Sequence, residues 1–263
     1  MLGAGALWSA PSLEYAVSSE VEKMRRWLHD QFKIPEGGSV VDLGCGAGDD
    51  LRLLARAQPG AARYIGVDRS AKQVAEDKES GLLFVPADLS KVFPFDDCSV
   101  DAIYSVNLLE CLPDRRLFLD ECARILSPGG SILIAHFDWD TQTFDGEDRD
   151  LVRRVVHAFN DWKQAWMEAA DPWAGRRLWR ELSPLFEGEI RTYTLTSTPF
   201  EPESYGRQQA ESFRALVRRG MVSQAKFDKF FSFLEQDAAL GRFFYSVTLY
   251  VYVGRKSDPN PQL

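Results

Sequence analysis

Asp42-Leu43-Gly44-Cys45-Gly46-Ala47-Gly48 puts an acid at the end of an apolar run and then glycine at three alternate positions. Glycine suits backbone that turns with positive φ or lets a ligand come close. A helix-like run, Asp49 to Ala57, follows at once. Between a strand and a helix, such a turn makes a ligand floor over the helix N-terminus. Two ligand chemistries compete for it. A dinucleotide loop spaces its glycines G-x-G-x-x-G. Here the third glycine comes one residue early, at Gly48, and Asp49 stands where that pattern has glycine. A carboxylate there faces a pyrophosphate unfavourably, whereas a ligand with positive charge and an amino acid head tolerates both Asp42 and Asp49.

More acids follow at strand-like ends. Tyr64-Ile65-Gly66-Val67-Asp68 closes on an acid 20 residues beyond Gly48. A carboxylate at that place can accept hydrogen bonds from two ribose hydroxyls. Phe84-Val85-Pro86-Ala87-Asp88-Leu89 reads as a third strand ending in Asp88. Phe93-Pro94-Phe95-Asp96-Asp97-Cys98-Ser99-Val100-Asp101-Ala102-Ile103-Tyr104-Ser105 leads into a fourth, and Glu121-Cys122-Ala123-Arg124-Ile125-Leu126-Ser127-Pro128-Gly129-Gly130 ends a helix and turns into a fifth, Ser131 to Ala135.

Taken in order, these five segments resemble the motifs of class I S-adenosylmethionine (AdoMet) dependent methyltransferases. The resemblance covers about residues 20–140 and is closest to small-molecule enzymes related to the ubiquinone and menaquinone C-methyltransferases. It implies AdoMet as cofactor. Asp42, Gly44, Cys45, Gly46 and Gly48 would then cradle its methionine half. Asp68 and Arg69 would lie at the ribose, Asp88 and Leu89 at the adenine, and Asn107 and Leu108 near the methyl group. Tyr15 is the candidate for a cover residue ahead of the first strand.

The acceptor side is less defined. Methyl transfer from a sulfonium is an in-line displacement, so alignment and exclusion of water do most of the work, and a base is needed only where the acceptor must lose a proton. Of the three histidines, His29 and His157 read as packing or surface residues. His136 directly follows the fifth strand, in His136-Phe137-Asp138-Trp139-Asp140, where the acceptor end of the cleft should open. His136 and Asp138 are therefore candidates for acid–base work, and His136 and Trp139 for contact with the acceptor. Val106-Asn107-Leu108-Leu109 lacks the prolines and aromatic of the tetrapeptide that nucleobase amino-methyltransferases carry there. Asp138 and Asp140 alone make a poor case for magnesium, and no metal is expected. Trp162 and Trp166 sit at helical spacing and read as core.

The elements that must position these residues follow from periodicity. Strands and helices alternate from 39 to 135, which predicts a mostly parallel sheet. With right-handed crossovers the ligand belongs at the carboxyl ends of the strands, at the switch between first and fourth. A helix is expected over 12–33, with Leu13, Val17, Val21, Met24 and Trp27–Leu28 on one stripe. Further helices are expected over 148–170, 177–186, 203–219 and 223–239, with strands over 189–199 and 242–254. The expected whole is a single α/β methyltransferase domain over 1–263: a core at about 12–140, a helical segment at 141–187, and a Rossmann-like seven-stranded sheet, mostly parallel with an antiparallel last strand. The roughly forty residues between the last two strands exceed any tight hairpin. The segment 201–240 thus reads as a helical cap over the pocket, with a homodimer interface as the second reading.

Bulk properties fit a small-molecule enzyme. The net charge is −8, the pI about 5.1, and no basic run exceeds Arg-Arg, which argues against a nucleic-acid substrate. The four cysteines form no C-x-x-C pair, no secretory leader is recognisable, and no stretch approaches a membrane span, so a cytoplasmic protein is expected. The expectation is transfer of a methyl group to a small aromatic or largely apolar acceptor, its N, O or C atom undecided. Alternatives are C-methylation of a polyprenyl quinone, a catalytically silent AdoMet-binding protein, and an NAD oxidoreductase.

Overall fold

A computed structural model describes residues 18–70, 81–165 and 167–257. Tyr15, the start of the expected first helix and Trp166 lie outside the described residues. The sheet has seven strands: β1 (Ser39–Leu43), β2 (Arg63–Asp68), β3 (Leu82–Pro86), β4 (Val100–Val106), β5 (Leu126–Phe144), β6 (Glu187–Ser197) and β7 (Tyr245–Arg255). Their order is β3-β2-β1-β4-β5-β7-β6, with β7 antiparallel to both neighbours and the other pairs parallel. The chain runs outward from β1 to β3 and then returns to β4, so the switch point falls between β1 and β4. All five residues of β1 are buried, as expected of a strand covered on both faces.

Helices α1 (Ser19–Gln31), α2 (Asp49–Ala57), α4 (Arg149–Asn160), α6 (Tyr205–Ser212), α7 (Arg214–Arg218) and α8 (Gln224–Ala239) pack on one face of the sheet. Helices α3 (Arg115–Ile125) and α5 (Ala174–Leu182) cover the other. Side-chain caps start several of them: Ser18 accepts from Val21 N at 3.2 Å, and Asp148 from Leu151 N at 3.0 Å.

Two expectations change. The fifth strand does not stop at Ala135 but runs to Phe144, with a register shift between Asp138 and Thr143. Its extension exists because β7 supplies backbone partners out to Phe144↔Tyr245. The helix expected over 148–170 ends at Asn160. There the Asn160 amide is taken up by Trp139 O at 2.8 Å and by Gln142 at 3.2 Å, and residues 161–165 and 167–173 continue as loop. The segment between β6 and β7 holds α6 to α8, and its aromatic face is part of the core. Phe144 meets Phe213 and Phe230 with ring centroids 5.7 and 5.6 Å apart.

Candidate active site at the carboxyl ends of the strands

The first wall of the crevice is built from backbone. Gly44, Gly46 and Gly48 all have φ between +51° and +85°. Gly48 is the most constrained, because a Cβ there would lie 2.5 Å from the Phe84 ring. Asp68, at the end of β2, reaches across and accepts from Gly46 N at 3.1 Å, while its other oxygen accepts from Ser70 N and Oγ at 2.8 and 2.6 Å. A carboxylate has about four acceptor sites, so Asp68 can fix the loop and still receive hydroxyl donors. Asp88 has the same turn geometry at the end of β3, accepting from Ser90 N and Oγ, and Leu89 is buried beside it. Cys45 is buried, with its thiol pushed up by desolvation. Arg69 is exposed and pairs with Glu168 at 2.6 Å.

Under this loop lies Asp42, 3% exposed, with its Oδ2 lacking any hydrogen-bond partner among the described residues. Burial raises its carboxyl well above the usual range, and the charges of Asp50 and Asp68 add to that. Tyr104 is Asp42's partner across β4, and its hydroxyl is likewise unpartnered. An amino acid head with an ammonium group fits this surrounding: it supplies the donors and positive charge that the orphaned acid lacks. A pyrophosphate would add negative charge to it.

The second wall is built from side chains. At the end of β4, Asn107 takes φ +57°, unusual outside glycine. Its Oδ1 accepts from Phe137 N at 3.1 Å, and its N donates to Ala135 O at 2.9 Å, so the bend is held to β5 on both sides. Leu108 follows and packs 3.1 Å from where a Cβ on Gly44 would stand. A single helical turn, Leu109–Cys111, then carries Glu110 inward. Glu110 Oε2 accepts from Trp139 Nε1 at 2.7 Å. Desolvation pushes its carboxyl up to about 8, with Asp171 adding to the rise and the Trp139 hydrogen bond opposing it.

Strand alternation separates the residues of the expected acceptor segment. Phe137 and Trp139 face the α4 and α6 side, with rings 5.2 Å apart. His136 and Asp138 face the other way. His136 is fully buried; its Nδ1 meets Phe137 O at 2.7 Å and its Nε2 accepts from Glu110 N at 3.4 Å. Both ring nitrogens are thus held by backbone, and burial lowers the imidazole to about 4. Asp138 is fully buried and forks onto the Arg176 guanidinium. Neither side chain opens onto the acceptor face, contrary to the sequence expectation of acid–base work and, for His136, of acceptor contact. The reason is that both lie inside a strand that was expected to have ended.

Residues 167–173 strap the two walls together. Glu168 pairs with Arg69, Ala169 N donates to Cys111 O at 3.1 Å, and Trp139 N donates to Pro172 O at 2.9 Å. Beneath the strap is a cavity of about 20 Å³, bounded by Glu110, Trp139, Asn160, Met167 and Asp171, room for one water-sized molecule. A larger surface hollow of about 560 Å³, ringed by Glu147, Asp148, Arg149, Asp150 and Phe233, includes none of the candidate residues.

Residues 41–134 match the family model described as a methyltransferase domain. Over that stretch, about a third of the chain, the sequence is similar to class I AdoMet-dependent methyltransferase domains. Among curated relatives, the methyltransferase GfsG of Streptomyces halstedii is 31% identical over 158 residues, 58% of this chain and 55% of that protein. The 2-methyl-6-phytyl-1,4-hydroquinone methyltransferase of a Synechocystis strain is 28% identical over 185 residues, 63% of this chain and 52% of that one. The chain spans about half the length of the curated relatives it matches. Among solved structures, a putative methyltransferase from Bacillus halodurans shares the fold with a TM-score of 0.58 at 15% identity, covering 89% of this chain and 99% of that one.

The fold gathers the motif residues Gly44, Gly46, Gly48, Asp68 and Asp88 along the first wall. Glu110 is the residue that sequence reasoning missed. Its signal was there: one acid inside the apolar run Leu108-Leu109-Glu110-Cys111-Leu112, two residues past a strand-end bend. Tyr205 had no such signal. It reads as the start of an ordinary helix, and only folding brings its ring to Phe137, with centroids 6.3 Å apart.

Proposed function

We propose that this domain transfers a methyl group from AdoMet to a small, largely apolar molecule. The observation that supports it most is the left-handed glycine loop held by Asp68 above the orphaned carboxylate of Asp42. Bound there, AdoMet would supply an electrophilic methyl group on a cationic sulfur. The chain's own part is to bind and orient. Gly44 to Gly48 and Asp42 would receive the amino acid head, Asp68 the ribose hydroxyls, and Asp88 with Leu89 the adenine. Asn107 and Leu108 would border the methyl group, and Tyr15 is proposed as a cover from the N-terminal side. Phe137 and Trp139 would present an apolar wall to the acceptor, and the 167–173 strap would exclude water. His136 and Asp138 act in this reading as positioning residues: His136 holds the Glu110 backbone, and Asp138 ties β5 to α5.

The net charge of −8 supports a small-molecule acceptor over a nucleic acid. No described helix is long and apolar enough to cross a membrane. The hydroquinone methyltransferase among the relatives favours, as a second reading, C-methylation of a quinol. The test is incubation of the protein with methyl-labelled AdoMet and a metabolite extract, with mass detection of the product. A labelled small molecule is expected. Cofactor binding without any labelled product from a broad extract would favour a silent binding protein.

A further inference from the structure

The acceptor wall contains polar groups that the fold leaves unanswered. Tyr205 and Gln209 lie one helical turn apart on α6, exposed by 6% and 4%. Tyr205 OH and Gln209 Oε1 are both buried with no hydrogen-bond partner among the described residues. Leaving two such atoms dry is costly, and native interiors rarely do it without a ligand, water or function. The Tyr205 ring stacks toward Phe137, Phe137 packs on Trp139, and Trp139 Nε1 donates to Glu110. Glu110 and Tyr205 therefore end one continuous aromatic wall, close enough that the Glu110 charge bears on the Tyr205 hydroxyl. Among the described residues the Glu110 carboxylate accepts one hydrogen bond, from Trp139, and it borders the cavity under the strap. Arg115, which pairs with Asp171 of the strap, also holds Glu181, at 2.6 and 3.1 Å.

We propose that Glu110 and Tyr205 form the polar anchor for a hydroxyl-bearing acceptor, a phenol or enol, and that Glu110 is the base that takes its proton. This rests on the methyltransferase reading above. The apolar faces of Phe137 and Trp139 suit a flat apolar body, whose entry requires the wall to part, since the cavity beside Glu110 holds one water-sized molecule. Tyr205 OH donates to the acceptor oxygen. Gln209 Oε1 is free to accept from a second donor on the same molecule. In the transfer step the acceptor O–H proton moves to the Glu110 carboxylate. The oxygen lone pair forms the bond to the methyl carbon as the carbon–sulfur bond breaks, its pair going to sulfur to leave a neutral thioether. The proton leaves Glu110 to water when product departs. A base that titrates near neutrality is matched to such a donor. The groups facing Glu110 are Cys111 on its own turn, His136 and Trp139 from β5, Tyr205 from α6, and Asp171 from the strap. The guanidinium of Arg115 lies behind Asp171.

The test uses the full chain loaded with S-adenosylhomocysteine and titrated calorimetrically with 1-naphthol, 1-naphthylamine and naphthalene. Wild type should bind 1-naphthol at least tenfold more tightly than naphthalene, and Glu110→Gln and Tyr205→Phe should each remove most of that preference. Tyr205→Phe should keep or raise the melting temperature, because it deletes an unpaired buried hydroxyl; a merely structural tyrosine would lower it. In turnover of 1-naphthol, log kcat should rise with pH and level near 8 in wild type, and Glu110→Gln should lose that limb. Failure of wild type to bind S-adenosylhomocysteine would overturn the methyltransferase reading itself. With S-adenosylhomocysteine bound, equal affinity for 1-naphthol and naphthalene, a preference for the amine, or unaltered 1-naphthol binding in both variants would overturn this proposal alone.

Discussion

The two walls of the crevice differ in what they are made of. Along β1, β2 and β3 the groups proposed to meet the ligand are backbone turns and strand-end carboxylates, all within residues 42–89. Along β4 and β5 they are side chains drawn from Glu110, Trp139 and Tyr205, segments that are remote in the sequence. The first wall is a local device repeated at successive strand ends, and it suits one unchanging ligand. The second is assembled only by folding, and of its side chains Leu108 is the one packed against the glycine loop. That division fits an enzyme domain with a fixed methyl donor and a variable acceptor.

The comparison can be broken most sharply at Arg176. Asp138 is fully buried and Arg176 is its ion-pair partner, so Arg176→Ala leaves a buried carboxylate uncompensated. The expected loss is about 3 kcal/mol in urea denaturation, at the low end for a buried pair because the arginine is partly exposed. If the second wall is independent of the first, the folded fraction should still bind S-adenosylhomocysteine normally. Comparable loss of cofactor affinity would join the two walls. Gly48→Val attacks the first wall. It forces a positive φ on a β-branched residue and pushes Cβ into the Phe84 ring. Cofactor affinity should fall about a hundredfold, near 2.7 kcal/mol, in calorimetry. Retained affinity would mean the loop is not the cofactor floor.

A smaller effect distinguishes two neighbours on the second wall. Glu110 titrates at about 8, above the ordinary glutamate value of 4.5, so the fold favours its protonated form. Its contribution to stability is complete below pH 4.5 and is lost as pH rises through 8. His136 titrates at about 4, below the ordinary 6.5, so the fold favours its neutral form. Its contribution is complete above pH 6.5 and is lost as pH falls through 4. Between pH 6.5 and 8 the Glu110 slope alone remains of the two. Wild type should therefore lose about 1.5 kcal/mol relative to Glu110→Gln across that window, measured by denaturant titration. Parallel curves would place Glu110 in a wetter setting than the structure gives it.

The same contrast explains what could be read in advance. The β1-to-β4 topology was legible because each strand, turn and acid lies within one short stretch, and the glycine spacing set the ligand chemistry. Asp68 was assigned from its strand-end position together with the family resemblance. The reach of β5 to Phe144 was not legible, because those residues owe their strand state to β7, a partner over a hundred residues away. With the strand expected to end at Ala135, His136 and Asp138 were given an open rim, and their alternation away from Trp139 went unseen. Asn160 ends α4 through contacts with Trp139 and Gln142, which no helical periodicity encodes. Tyr205 depends on α6 folding back over Phe137, and its sequence context marks only a helix start.

The division of labour between the walls is tested most directly by titrating S-adenosylhomocysteine into wild type, Asp68→Ala and Glu110→Gln under one buffer. Asp68 both holds the Gly46 amide and keeps acceptor capacity for hydroxyls, so its loss should weaken binding at least tenfold from a micromolar-range wild-type value. Glu110→Gln should stay within about twofold of wild type, since distant sites couple weakly. Undiminished binding in Asp68→Ala, or a loss in Glu110→Gln as large as that in Asp68→Ala, would contradict the account.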